Sequence, residues 1–186
     1  MRIIGALVAV GLLSTACSQQ ADATHPAGHA PDAVGIRLSG GGTLTAPAPK
    51  AVAIAYDTTL APSGASAEIT AESGAVLATS TATVRGFLPH RTYGAHLHAN
   101  PCGPKPEDAG PHYQHTHAHP SADNEVWLDF TTDAQGAATA IARQDWAFRP
   151  DKPPQSLVIH AEPTRTAGTD AGTAGPRVAC ITLTER

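Results

Sequence analysis

Large apolar side chains recur at every second position in several short segments of the chain. The alternation is clearest over residues 52–56 and 126–130. A period of two is typical of β-strands with one buried face. The other segments predicted as strands are residues 67–70, 76–84, 93–98, 137–142, 156–160 and 178–183. No convincing amphipathic helix and no internal repeat accompany them.

Composition supports an all-β fold. The chain has 17 glycines and 16 prolines, and aromatic residues make up only 4%. Many short strands separated by turn residues indicate two packed antiparallel sheets rather than a helical bundle. The sequence therefore predicts a Greek-key β-sandwich or flattened barrel.

The N-terminus has the features of an export signal. Met1-Arg2 is followed by an apolar run from Ile3 to Leu13, which is too short to span a bilayer as a mature helix. The run ends in small residues before Cys17, and this arrangement resembles a bacterial lipoprotein signal. We expect residues 1–16 to be removed and Cys17 to be lipidated. The alternative is ordinary secretion with an unmodified Cys17.

Either route places the mature protein outside the cytoplasm, lipid-anchored at the cell membrane or periplasmic. Residues 17–49 are rich in alanine, proline and polar side chains, and include the triple glycine at 40–42. They are predicted to be a flexible tether that follows the lipidated cysteine. A single domain is expected over residues 50–186.

Charge excludes one class of partner. The formal net charge is −4, with 12 basic and 16 acidic residues, so no basic surface for nucleic acid is indicated. Histidine is instead unusually abundant, with 10 residues. Six of the ten fall between His96 and His119.

His96 and His98 lie in a predicted strand, so their imidazoles point to the same side while Leu97 points to the other. Two further histidines, His112 and His160, lie in or beside other segments with strand character. Imidazole groups on a stiff backbone suit a redox-active copper ion. Peptide hydrolysis fits poorly, because neither an HExxH motif nor a Ser/His/Asp arrangement is present.

The chain has three cysteines, which leave one unpaired thiol in an oxidising compartment. If Cys17 is lipidated, Cys102 and Cys180 remain as a pair. A disulfide between them would close a long loop, whereas two inert buried thiols are the alternative.

Four blocks of the sequence resemble the copper/zinc superoxide dismutase family, and they occur in the same order. The blocks are Gly94-Ala95-His96-Leu97-His98, Ala109-Gly110-Pro111-His112-Tyr113, Val158-Ile159-His160-Ala161 and Ala174-Gly175-Pro176-Arg177-Val178-Ala179-Cys180. The resemblance extends over roughly residues 50–186. It implies the β-sandwich or flattened barrel of that family.

The resemblance also implies roles for individual residues. Arg177 matches the arginine that attracts the superoxide anion, and Cys102 and Cys180 match the family's intradomain disulfide. His112 matches the histidine that also bridges to zinc and that takes and returns a proton during turnover. The copper ligands implied by the resemblance are His96, His98, His112 and His160.

Two functions are compatible with these residues. The first is superoxide dismutase activity, in which superoxide is converted to dioxygen and hydrogen peroxide at a histidine-bound copper in the cell envelope. The second is a non-catalytic envelope lipoprotein that binds or sequesters copper with the same fold. In both cases the only expected membrane contact is through the N-terminal lipid.

The zinc site of the family is not reproduced. The expected Gly-Asp block is replaced by Asn124-Glu125-Val126-Trp127. A rearranged zinc site from His112, His119 and Asp123, with His117 or His115 as a fourth ligand, is chemically feasible. The alternative is a solvated histidine loop.

Asp170 is the sole aspartate between His160 and Arg177, and is the candidate for the family's aspartate that connects the two metal sites.

Overall fold

The computed structural model describes residues 35–186. The predicted signal peptide, Cys17 and the tether up to residue 34 lie outside the described residues. Within the described part, the strands are β1 Ile36–Thr43, β2 Ala53–Ala55, β3 Ser66–Ser73, β4 Ala78–Arg85, β5 Thr92–His98, β6 Phe130–Thr131, β7 Ala138–Gln144, β8 Ser156–His160, β9 Arg177–Thr182 and β10 Thr184–Glu185. The only helical element in this part of the chain is a single 3₁₀ turn, Pro106–Ala109.

The strands form two antiparallel sheets of five strands each. The first sheet has the order β10-β1-β3-β4-β7, and the second has the order β2-β9-β8-β5-β6. The predicted all-β sandwich is confirmed. Residues 35–186 include no helix with the length and apolar character that crossing a bilayer requires.

The two sheets bury their strands differently. In β3 and β4, buried and more exposed residues alternate, as expected for a sheet with one face in solvent. In contrast, every residue of β8 is buried, and so is all of β5 except Thr92. Loops must therefore cover the outer face of the second sheet. Leu97 lies in the core between the sheets, whereas His96 and His98 alternate with it along β5, as predicted.

Strand β1 corrects the predicted domain boundary. The tether was expected to reach residue 49, but residues 36–43 pair along their full length with β3. The glycines that indicated a tether are needed inside this strand. A Cβ atom on Gly40 would lie 2.0 Å from the carbonyl oxygen of Thr182, so only glycine permits this close packing against the end of β9.

Most other predicted strands agree with the structure. The segment predicted over residues 126–130 is shorter, because only Phe130 and Thr131 form a strand. Trp127 makes an isolated bridge to His96. The alternation of burial along this segment is nevertheless present, with Val126, Leu128 and Phe130 buried.

Cys102 and Cys180 form the predicted disulfide, with their Cα atoms 5.8 Å apart. The bond connects the loop after β5 to the middle of β9. Around it, Val158, Cys180 and Ala109 form a small buried cluster separate from the main core. This cluster fixes the loop to the outer face of the second sheet.

Candidate metal centre

Four histidines converge on the outer face of the second sheet. One ring nitrogen from each can be chosen so that all four lie within 4.8 Å of one another. Among the described residues, this is the one group of three or more histidine, cysteine or acidic side chains with such spacing. Its members are His96, His98, His112 and His160.

Strand pairing explains the convergence. Strands β5 and β8 are antiparallel neighbours, with Gly94 opposite His160 and His96 opposite Val158. An irregularity in the β8–β9 register falls between Ile159 and His160, at the end of β8. His112 comes from the loop after β5 and reaches the cluster through a bridge to His98.

The imidazoles of the strand histidines are removed from water. His96 and His98 are fully buried, and His160 is 4% exposed. Burial, reinforced by the neighbouring histidines, lowers the pKa of His98 to about 2. Burial also lowers the pKa of His160 to about 4, and holds that of His96 far below its ordinary value. These rings are therefore neutral at neutral pH, the form that binds metals.

Two ring nitrogens of the cluster have no hydrogen-bond partner among residues 35–186. The Nδ1 atoms of His98 and His160 lie 3.0 and 3.2 Å from the carbonyl oxygens of Gly110 and Gly175. Since a carbonyl only accepts, each Nδ1 carries the ring proton and each Nε2 keeps its lone pair. Both Nε2 atoms are buried without a hydrogen-bond partner. Buried, unpartnered imidazole nitrogens aimed at one point fit a metal ion.

His112 is oriented by a buried carboxylate. Its Nδ1 lies 2.8 Å from Oε2 of Glu125, whose side chain is only 1% exposed. Gln114 and Trp127 also donate to this carboxylate, each at 2.8 Å. Although burial acts to raise it, the three hydrogen bonds keep the pKa of Glu125 below its ordinary value. An ionised Glu125 therefore directs Nε2 of His112 toward the cluster.

The fourth histidine faces His112. Nδ1 of His96 lies 3.1 Å from Nε2 of His112, and Nε2 of His96 lies 2.6 Å from the hydroxyl of Thr164. With Nδ1 of His112 donating to Glu125, the Nε2 lone pair of His112 points at His96. A cation between these two nitrogens would stabilise the arrangement.

The structure does not assemble the rearranged zinc site. His117, His119 and Asp123 are exposed and belong to no metal-binding group within residues 35–186. His115 stacks on Trp146, with ring centroids 4.7 Å apart. Nδ1 of His112 is hydrogen-bonded to Glu125 at 2.8 Å and is not shared with any of these three side chains.

Arg177 lies at the wall of an open pocket of about 760 Å³ that His112 and His160 also line. Its guanidinium donates to the carbonyl oxygens of Pro106 and Gly110, each at 2.7 Å. The carbonyl of Gly110 is also the acceptor for His98. Arg177 therefore places a positive charge beside the histidine cluster and supports the loop that orients one of its members.

The expectation for Asp170 is wrong. Its carboxylate pairs instead with Arg165 at 3.1 Å, and both side chains are largely exposed. Two other carboxylates support the cluster instead. Glu125 contacts His112 directly, and Asp129 lies behind Thr164, to which it is hydrogen-bonded.

Only some of these residues had a signal in the sequence. Glu125 belongs to the four residues that replace the family's Gly-Asp block, and it directly precedes the apolar Val126 and Trp127. Asp129 alternates with apolar residues, which predicts its side of the segment but no contact. Thr164 lies in a loop without periodicity and gives no local signal.

Comparison with known proteins agrees with this geometry. A family model described as copper/zinc superoxide dismutase (SODC) matches residues 64–182. No curated protein matches the chain. The matched range includes all four histidines, both cysteines of the disulfide and Arg177.

Proposed function

The chain belongs to the copper/zinc superoxide dismutase family, and on this basis we propose that it converts superoxide to dioxygen and hydrogen peroxide at a histidine-bound copper. The observation that supports the proposal most is the set of four histidine ring nitrogens within 4.8 Å of one another. Copper, when bound, would supply the one-electron redox chemistry that this reaction needs. His96, His98, His112 and His160 would hold it.

The pocket suits a small anion. Arg177 lines it together with His112 and His160, and Lys152 and Arg149 are further basic residues of its lining. Positive charge beside a partly enclosed site raises the local concentration of an anionic substrate and orients it. Arg177 would bind superoxide next to the histidine cluster.

His112 is the residue best placed to hold and return a proton. Its Nδ1 is hydrogen-bonded to the carboxylate of Glu125 at 2.8 Å, so Nε2 is the atom at which a proton can be gained or lost. The side chain is 19% exposed and lines the pocket, unlike the fully buried His96 and His98. Glu125 would stabilise the protonated ring by a charge-assisted hydrogen bond.

We propose further that copper acts without a bridging zinc ion. The carboxylate of Glu125 fixes the orientation of His112 by a hydrogen bond, so no second metal ion is needed for that purpose. The measurement is metal content after reconstitution with both ions. One copper and no zinc per chain is expected, whereas stoichiometric zinc retained after dialysis would contradict this part of the proposal.

The second candidate function is copper sequestration without turnover. The observation that favours it is the exposed His117, which lines the same pocket as His112 and His160 and is followed two residues later by the exposed His119. Sequestration predicts that more than one copper binds per chain and that His117→Ala lowers this number.

Activity of the reconstituted protein separates the two functions. Stopped-flow decay of superoxide should be much faster with the copper-loaded domain than with the same concentration of free copper. His98→Ala, which removes one buried ligand, should abolish the difference. A copper-loaded domain no faster than free copper would leave sequestration as the function.

We also propose export and lipidation at Cys17. The apolar run before Cys17 supports this proposal, and so does the Cys102–Cys180 disulfide, since disulfides persist in oxidising compartments. Mass spectrometry of the mature protein should find a lipid on the N-terminal cysteine, and Cys17→Ala should release the protein from membranes. An unmodified Cys17 in the wild type would contradict lipidation.

A further inference from the structure

We propose that Thr164 is a positioning residue that sets the tautomer of His96, by connecting the ring of His96 to the carboxylate of Asp129. The inference builds on the proposed copper function, because the tautomer decides whether Nδ1 of His96 can bind a metal. Thr164 lies in the segment between β8 and β9, residues 161–176. It is 8% exposed.

A hydrogen-bonded chain of three residues extends away from the histidine cluster. The hydroxyl oxygen of Thr164 lies 2.6 Å from Nε2 of His96 and 2.6 Å from Oδ1 of Asp129. The backbone N–H of Thr164 donates to Oδ2 of the same carboxylate at 2.7 Å. Nε2 of His96 and Oδ1 of Asp129 are 3.9 Å apart, which is too far for a direct hydrogen bond. The hydroxyl of Thr164 therefore connects the two side chains.

The directions of both bonds follow from comparing the two ways in which the available hydrogens can be placed. A hydroxyl has one hydrogen, and an ionised carboxylate only accepts. If the hydrogen pointed at His96, the hydroxyl and carboxylate oxygens would face each other at 2.6 Å without a proton between them. If the hydroxyl instead donates to Asp129 and accepts from His96, the facing nitrogens of His96 and His112 have no hydrogen between them, but they lie 3.1 Å apart and neither belongs to a carboxylate. This contact is the less unfavourable one to leave without a hydrogen, so the hydroxyl donates to Asp129 and accepts from His96. His96 thus carries its proton on Nε2 and has a lone pair on Nδ1, the nitrogen that faces His112.

The backbone is built to bring Thr164 this close. Gly94, two residues before His96, donates its N–H to the carbonyl of Glu162 at 2.8 Å. A Cβ atom on Gly94 would lie 2.6 Å from that carbonyl oxygen and 3.1 Å from the hydroxyl of Thr164. The absent side chain allows the segment to pack against β5. The N–H of Ala95 also donates to Asp129, at 3.1 Å, which attaches the carboxylate to the same strand.

His96 differs from the other three histidines in how it is held. His98 and His160 are held by backbone carbonyls, which no substitution can delete, and His112 contacts a carboxylate directly. His96 depends on one side-chain hydroxyl. Without it, Nε2–H would be buried with no acceptor, and the proton would move toward Nδ1, where it would block the metal.

The test measures the tautomer in the metal-free protein and copper affinity separately. Nitrogen-15 NMR of histidine-labelled wild-type protein should find His96 protonated on Nε2 and unprotonated on Nδ1. In Thr164→Val, which keeps the shape and removes the hydroxyl, the population protonated on Nδ1 should rise. The dissociation constant for Cu(II) should rise about ten- to hundredfold, as expected for loss of a partner behind a metal ligand.

Two further variants isolate the hydroxyl. Thr164→Ser keeps it and should restore both the tautomer and the affinity. Thr166→Val changes an exposed threonine in the same segment and should leave both unchanged. A wild-type His96 protonated on Nδ1 would overturn the inference without any variant. Equal loss in the serine and valine variants would also overturn it.

The outcome is separable from that of the proposed function. If the protein binds copper with the expected tautomer but does not consume superoxide, the inference stands and the dismutase proposal fails. If superoxide is consumed while Thr164→Val changes neither tautomer nor affinity, the dismutase proposal stands and this inference fails.

Discussion

Each histidine of the cluster uses one ring nitrogen for orientation and presents the other to the centre. The orienting partners are two backbone carbonyls, one carboxylate and one hydroxyl. Because the partner fixes which nitrogen is protonated, these contacts decide which nitrogen of each imidazole is free to bind a metal. Single-atom changes in the partners should therefore alter metal affinity while leaving all four imidazoles in place.

Glu125→Gln tests this at His112. The neutral amide accepts a weaker hydrogen bond from Nδ1, so Nε2 becomes less basic and the ring less firmly oriented. We expect the dissociation constant for Cu(II) to rise about ten- to hundredfold, measured by competition with a chelator. Glu68→Gln, on the exposed side of β3, is the matched control. Equal affinity in the two variants would show that Glu125 has no part in metal binding.

Arg177→Gln tests the role of charge beside the cluster. Loss of the guanidinium should lower kcat/KM for superoxide about tenfold or more, and should weaken its dependence on ionic strength. Arg177→Lys keeps the charge but not both hydrogen bonds to Pro106 and Gly110, so partial recovery is expected. Arg85→Gln, an exposed substitution on β4, should have no effect. An unchanged salt dependence in Arg177→Gln would refute steering by this residue.

At the level of elements, strand β1 is the clearest departure from the predicted organisation. Its sequence has three consecutive glycines, and only Leu38 is buried, so no apolar alternation marks it as a strand. What makes it a strand is pairing on both sides, with β3 and with β10. Glycine is required there by a neighbour distant in sequence, the end of β9.

Gly40→Ala should destabilise the domain. Its Cβ would lie 2.0 Å from the carbonyl oxygen of Thr182, and two backbones would have to separate. We expect the free energy of unfolding to fall by roughly 1–3 kcal/mol, measured by chemical denaturation. Gly74→Ala is the control, since its Cβ would meet nothing within 4 Å. Similar stabilities of the two variants would argue against tight packing of β1 on β9.

At the level of the whole molecule, the loop after β5 joins the site to the frame of the fold. The disulfide attaches this loop to β9 across 78 residues of sequence. Tyr56 donates to the carbonyl of Gly103 at 2.8 Å, and Arg177 donates to two further carbonyls of the loop. The metal centre and the stability of the sandwich are therefore coupled through one segment.

Replacing both cysteines, as Cys102→Ala with Cys180→Ala, should lower the free energy of unfolding of the metal-free domain by roughly 2–5 kcal/mol. The physical reason is that the unfolded chain regains the freedom that the closed loop removes. Denaturant unfolding measures this loss, and reduction of the wild-type disulfide should reproduce it. No change after reduction would mean that the non-covalent contacts alone fix the loop.

The sequence by itself determined the β class, most strand positions, the four histidines, Arg177 and the cysteine pair. These follow from local periodicity and from four family blocks, both of which are contained in short stretches of chain. The structure brings the four histidines of these blocks together, and the roles expected of them and of Arg177 stay predictions. The tether boundary, the strand at residues 126–130 and the role of Asp170 were wrong or incomplete.

Only the tertiary structure decided how the site is supported. Glu125 beside His112, Asp129 behind Thr164 and the glycine strand β1 all depend on contacts between segments far apart in sequence. Alternation predicts which way a side chain points from its own strand, but not which loop packs over it. The hydrogen-bond partner of a buried imidazole is set by that packing.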